Sequence, residues 1–249
     1  MNLEFFSLGD TGIQLLFGTE ISEETNRTIR MFSEQLEEHP INGIIEWVPA
    51  YTTLSIFYQP NVISYKTLCD KLGAVYEKLQ GGAELSSSLI FEIPTYYGGE
   101  VGSDLSYVAE HNGLSEEEVI SIHSSKDYLI YMMGFVPGFP YLGGMDKRIE
   151  TPRRENPRPK IEAGSVGIAG SQTGIYPLET PGGWQIIGQT PIKLYDPNST
   201  SPILLSSGHY LRFVPISKDD YVEIEKAVQR GEYEVNCFEK QGVDRNEFR

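Results

Sequence analysis

The sequence predicts two folded parts, a small α+β layer followed by a larger β-rich barrel or sandwich. Three observations predict it. Apolar strand pairs alternate with amphipathic helical stretches up to about residue 80, a Gly/Ser-rich stretch interrupts this pattern at residues 81–88, and beyond Tyr128 the chain breaks into short β segments between Gly/Pro turns. With 249 residues, 39% of them hydrophobic, and with 25 Gly and 15 Pro, the chain can bury two cores without disulfides or metals.

Residues 3–6 and 13–17 read as strands joined by the turn Gly9-Asp10-Thr11-Gly12, a hairpin signal. Ser22 then precedes a stretch in which Ile29, Phe32 and Leu36 recur at helical spacing, closed by Pro40 and Asn42-Gly43. Residues 44–48 and 53–58 repeat the strand pattern. Residues 64–79 repeat the helix, with Leu68, Leu72, Val75 and Leu79 on one stripe and Gly81-Gly82 as its stop. Strand, strand, helix, twice over, implies helices covering one face of an antiparallel sheet. This places a small domain at residues 1–83 and a second at 84–249.

The second domain opens with a strand at 89–93 and short helices at 105–110 and 115–123, the latter with Ser115 and Glu118 in capping-box order. Strands follow at 128–133, 166–169, 184–187 and 211–214. Residues 218–230 read as an amphipathic helix with Tyr221, Ile224 and Val228 facing inward, before a strand near 233–238 and a frayed polar tail at 241–249.

Lys+Arg 20 against Asp+Glu 35 gives a net charge of −15, which repels phosphodiester backbones and anionic lipid. No run approaches the roughly 20 apolar residues that cross a bilayer, and Met1-Asn2-Leu3-Glu4 does not open a basic-then-apolar leader. The expectation is a cytoplasmic protein with no nucleic-acid or membrane partner. Cys69 and Cys237 have no Cys or His at metal-ligand spacing and read as buried or idle thiols, with no metal site.

Three clusters carry chemistry. In residues 134–145 aromatics alternate with Gly and Pro, and Phe135, Pro137, Gly138, Phe139 and Tyr141 can form the rim of a ligand pocket, or an irregular barrel corner packed for stability. Residues 151–160 then place Arg153, Arg154, Arg158 and Lys160 within ten positions of an acidic chain. Such a proline-stiffened loop suits a carboxylate substrate or ATP phosphates, and equally a solvated surface or an acidic partner. In the Gly-rich stretches from Gly164 to Gly188, Gln172, Thr173, Tyr176 and Gln185 can supply neutral hydrogen bonds and Trp184 an apolar face.

Phosphate-loop and dinucleotide spacings are missing, as are a Gly-x-Ser-x-Gly elbow and a His-Glu-x-x-His helix. No catalytic residue can be named. His123 precedes the pocket strands and suits a packing or helix-terminal role more than proton transfer, while His39, His111 and His209 read as surface or turn residues.

Read together, GFVPGFPYLGGM, TPRRENPRPKIEAGSVGIAGSQTGIYP and TPGGWQIIGQTP resemble the KipI family, also called the 5-oxoprolinase B subunit or allophanate hydrolase subunit 1. The likeness extends more loosely over Trp47-Val48-Pro49-Ala50-Tyr51 and Glu92-Ile93-Pro94, and departs at Ser207-Gly208-His209, where relatives usually carry Pro-Gly-Asp. It implies a ferredoxin-like domain followed by a cyclophilin-like antiparallel β-barrel, of the carboxyltransferase type found in urea carboxylase. It also implies a non-autonomous subunit of an ATP-dependent 5-oxoprolinase, a hydrolase acting on a cyclic amide, which works with a KipA-like C subunit and a third, A subunit. Inhibition of a sporulation histidine kinase is the alternative it carries, and allophanate or urea metabolism a third.

Overall fold

The computed structural model describes residues 3–80 and 87–240. The expected helix stop at Gly81-Gly82, most of the linker and the polar tail at 241–249 lie outside the described residues. The chain divides into two compact units, Met1–Ser86 and Ser87–Arg249.

The first unit runs β1 (Glu4–Leu8), β2 (Gly12–Leu16), α1 (Glu23–Glu38), β3 (Ile44–Pro49), β4 (Thr53–Tyr58) and α2 (Tyr65–Gln80). Ser22 starts α1, its Oγ accepting from the Thr25 N–H at 3.1 Å. The sheet order is β1-β2-β4-β3 with every neighbouring pair antiparallel. Strands β2 and β3 are therefore parallel to each other, flank β4, and are connected through α1. This is the split βαβ arrangement of a ferredoxin-like layer, with its outer strand supplied from the front of the chain. Ile13, Leu15, Leu54 and Ile56 of the sheet are fully buried against Ile29, Phe32 and Leu36 of α1 and Leu68 and Leu72 of α2, so the period-3.6 stripes face the core as expected.

The second unit carries β5 (Leu89–Tyr97), α3 (Leu105–Asn112), α4 (Glu116–Ser124), β6 (Asp127–Met133), β7 (Pro140–Gly143), β8 (Arg158–Ile161), β9 (Ser165–Ala169), β10 (Gln172–Ile175), β11 (Thr180–Gly182), β12 (Gln185–Gln189), β13 (Tyr210–Pro215), α5 (Lys218–Gln229) and β14 (Cys237–Glu239). Hydrogen bonding follows the path β10-β9-β12-β5-β13-β6-β7, a nearly closed barrel, with β14 on β5 and a separate ribbon of β8 and β11. Ile93, Ile130, Val166, Ile168, Ile187 and Leu211 fill it.

The barrel is antiparallel except at one pair. Strands β5 and β13 run parallel from Ile90↔Tyr210 to Thr95↔Pro215, which is open to them because more than a hundred residues separate them and no tight turn dictates their sense. Helix α4 carries its capping box, Glu118 N–H to Ser115 Oγ at 3.2 Å and Ser115 N–H to Glu118 Oε2 at 2.8 Å. Helix α5 buries no residue completely, and Tyr221, Ile224 and Val228 are half-buried. No helix among the described residues is long and apolar enough to cross a membrane.

Candidate ligand cavity

The aromatic segment begins at a tight turn. Among the described residues Phe135 is the one non-glycine with positive φ (67°), and the Val136 N–H bonds back to the Gly134 carbonyl at 2.8 Å across it. This is a γ-turn of the strained hand, and it leaves the Phe135 ring 70% exposed. Gly138 (φ 81°) then reverses the chain against residues 194–195, where an added Cβ would lie 3.0 Å from Tyr195 Cβ and 3.1 Å from the Leu194 oxygen.

That reversal drives Phe139 inward. It meets Phe135, Tyr141, Tyr176 and Trp184 edge-to-face, at centroid distances of 5.8, 5.1, 6.0 and 5.9 Å, the geometry that aromatic quadrupoles favour. Gly174 on β10 makes room for the indole, since a Cβ there would stand 3.1 Å from Trp184 Cζ3. The five rings wall a cavity of about 320 Å³, and Arg153 and Gln172 are the polar side chains that join them at its lining. Burial pushes the Tyr176 hydroxyl up to about 12, with the charges of Arg153 and Arg158 pulling the other way.

The basic segment reaches this cavity at one point. Arg154 and Arg158 turn instead to Asp104, a carboxylate 7% exposed at the start of α3: Arg154 Nη1 lies 3.1 Å and Arg158 Nη2 2.6 Å from Oδ1. The Ile186 N–H fills Oδ2 at 2.6 Å, so the buried charge is compensated on both oxygens. Arg158 also donates to the Trp184 carbonyl at 3.3 Å and to Ser103 Oγ at 3.1 Å. Lys160 sits between Glu162 (2.9 Å) and Glu179 (2.8 Å). Arg158 and Lys160 border a second cavity of about 210 Å³, which Glu100 and Glu162 also line. Arg153 makes no ion pair among the described residues.

The other predicted residues serve as supports. Gln185 is buried and its Nε2 donates to the Pro152 carbonyl at 2.9 Å, tying the basic segment to β12. Thr173 faces the barrel interior, where its hydroxyl donates to the Gly167 carbonyl at 3.1 Å and meets His123 Nε2 at 2.7 Å. Because that hydroxyl proton is already used, His123 donates from Nε2 and accepts the Tyr97 hydroxyl at Nδ1, 2.8 Å away. Burial lowers His123 to about 3, and the ring is a neutral, satisfied part of the core. Pro137 is exposed and outside the lining. His209 is more constrained than a surface residue, since its Nδ1 accepts the Leu89 N–H at 3.1 Å.

Asp104 is the residue that sequence reasoning missed. Its one local signal is its place just before the first turn of α3, where an acidic side chain ordinarily caps a helix, yet its carboxylate makes no such cap bond.

Chemically, the cavity suits a small molecule with an apolar body and one negative charge. Its lining holds no carboxylate, histidine, thiol or serine hydroxyl to act as base or nucleophile. Of the four cations of residues 151–160, Arg153 alone lines it, while Arg154, Arg158 and Lys160 pair with carboxylates.

Over residues 3–205 the chain matches the family model of the carboxyltransferase domain, subdomain C and D. A Bacillus subtilis protein named as the B subunit of 5-oxoprolinase is 47% identical over 224 residues, 86% of this chain and 93% of that protein. The Escherichia coli O157:H7 protein of the same name is 39% identical over 84% of this chain and 94% of its own length. The crystal structure of TTHA0988 superposes with a TM-score of 0.73 at 38% identity, covering 83% of this chain. Kluyveromyces lactis urea carboxylase superposes at 0.75 with 20% identity over 96% of this chain, a likeness of fold. This chain spans 40% of the first of these solved chains and 24% of the second.

Proposed function

The chain belongs to the family of carboxyltransferase domains, subdomain C and D, and on that premise we propose that it is the B subunit of an ATP-dependent 5-oxoprolinase and holds the lactam substrate. The observation that carries this reading is the cavity: five aromatic rings around about 320 Å³, with Arg153 at its lining. A five-membered lactam ring fits against aromatic faces, and its carboxylate pairs with the guanidinium at low ordering cost, because the loop is already fixed. The two relatives named as 5-oxoprolinase B subunits, matched along more than nine-tenths of their length, support the same substrate class.

Ring opening to glutamate needs chemistry that this cavity lacks. We therefore assign ATP and the activation of the lactam carbonyl to partner chains, a KipA-like C subunit and a third, A subunit, and to this chain the binding and orientation of substrate. The longer solved relatives, of which this chain matches less than half, are consistent with such assembly. The protein works in the cytoplasm, where ATP is available.

The test is ATP-dependent glutamate release from 5-oxo-L-proline by the chain alone and by the chain mixed with its KipA-like and third subunits. Release only in the complete mixture is the expected result. Ammonia release from allophanate in place of glutamate release from the lactam would move the substrate to the urea branch, and no turnover in any mixture, with capture of a histidine kinase, would replace the reading by kinase inhibition.

A further inference from the structure

Arg153 and Arg154 are neighbours in sequence with opposite surroundings. The chain is clamped on both sides of Arg153: the Pro152 carbonyl accepts Gln185 Nε2 at 2.9 Å, and the Arg154 N–H donates to the Gly183 carbonyl at 2.7 Å. Arg154 then turns toward Asp104, while Arg153 is left over the cavity that Gly183 and Trp184 help to wall. Asp104 is itself locked to β12 in both directions. Its N–H donates to the Ile186 carbonyl at 2.8 Å and its Oδ2 accepts the Ile186 N–H at 2.6 Å. One carboxylate thus joins three things: the start of α3, the strand that follows the indole wall, and the two arginines that follow Arg153 in the chain.

We propose that Asp104 is the positioning residue that aims Arg153 at the carboxylate of the bound ligand, an inference that rests on the lactam-carboxylate reading of the cavity. Asp104 touches no ligand. It acts by fixing residues 154 and 158, just after Arg153, so that one guanidinium of the segment is held out for the ligand while two are consumed in holding it there. A long, flexible cation would otherwise give up several rotatable bonds on binding, and the clamp removes part of that cost before the ligand arrives. It also settles which arginine reads the ligand.

The test compares dissociation constants, measured by calorimetry on the purified full chain, for 5-oxo-L-proline and for its uncharged carboxamide. The wild-type chain is expected to bind the carboxylate about tenfold or more tightly than the carboxamide, as a charge-assisted hydrogen bond implies. Asp104→Asn should lose most of that preference while its carboxamide affinity stays within about twofold. Arg154→Met, which leaves the Asp104–Arg158 pair intact, should lose part of it. Arg153→Ala should abolish the preference, and adding Asp104→Asn to it should cost nothing further, since the two residues act on one contact. Circular dichroism melts check folding, and if Asp104→Asn does not fold, Arg154→Met carries the test. The proposal is overturned if the folded variants keep the full preference, or if both ligands weaken in parallel, as a clamp for the fold alone would give. A wild-type chain that binds neither ligand would sink the lactam reading and this inference with it, whereas a preference that is unaffected by the clamp variants would sink only the inference.

Discussion

The aromatic segment at residues 134–141 sends three rings to the cavity, whereas the basic segment at residues 151–160 sends one cation of four. The difference lies in what each side chain seeks. Rings are satisfied by one another, so Phe135, Phe139 and Tyr141 gather around whatever hollow the glycines and prolines leave. Guanidinium and ammonium groups seek anions, and in a chain of net charge −15 carboxylates are abundant, so most cations of a local cluster are neutralised inside the fold. A run of aromatics is therefore a stronger pointer to a binding wall here than a run of cations is to an anion site.

The contrast breaks first, if it breaks, at Phe139. Its ring is 4% exposed and meets four others, so Phe139→Ala should cost about 3–5 kcal/mol, seen as a lower urea midpoint with unchanged slope. Phe135→Ala, at an exposed ring, should stay within about 0.5 kcal/mol. Equal losses at the two positions would mean that the cavity rim is as fully packed as its floor. Within the basic region the same division holds between Asp104 and Arg153. Asp104→Ala strands two partly buried arginines and should cost about 3 kcal/mol or more, while Arg153→Ala should leave stability unchanged within about 0.5 kcal/mol and weaken only the anionic ligand.

A third polar group, inside the barrel, extends the comparison to pH. Burial lowers His123 to about 3 from an ordinary value of 6.5, so the unfolded chain binds a proton more readily than the folded one between those limits. Its contribution is fully present above about pH 6.5 and is lost as pH falls toward 3. Acidification from pH 7 to 5 should cost about 2 kcal/mol through this residue. His123→Gln should flatten that part of the stability profile in urea titrations at both pH values, and an unchanged slope would show that the ring is not the group responsible.

Where periodicity speaks, the fold was legible. Ile29, Phe32 and Leu36, and Leu68 and Leu72, recur at helical spacing and are all buried on one side, and Ser115 with Glu118 announces the start of α4. Strands β7, β8, β10 and β11 were not legible, because three or four residues rich in Gly and Pro show no alternation to read. The parallel pairing of β5 with β13 was hidden for a different reason: it joins residues about 120 positions apart, and nothing local encodes it. The cavity divides in the same way. Its aromatic wall lies in two short stretches of sequence, but Arg154 and Arg158 are drawn to Asp104, some fifty residues upstream, a contact that only the folded chain creates, and Arg153 alone of the three arginines lines the cavity.

The smallest expected effect is the sharpest check on the contrast. Lys160 sits between Glu162 and Glu179 in a network that raises its ammonium pKa, through hydrogen bonds to Glu162 first and Glu179 second. Nevertheless, all three side chains are more than half exposed (53%, 61% and 57%), so water and salt screen the network and the long side chain loses entropy in forming it. Lys160→Ala should therefore leave the urea midpoint unchanged at physiological salt and leave affinity for the lactam carboxylate unchanged. A clearly lowered midpoint, or a weakened anionic ligand, would mean that the cations of residues 151–160 act as one field over the cavity. In that event the segment would serve the ligand by its summed charge, and the division of labour between Arg153 and its neighbours would no longer hold.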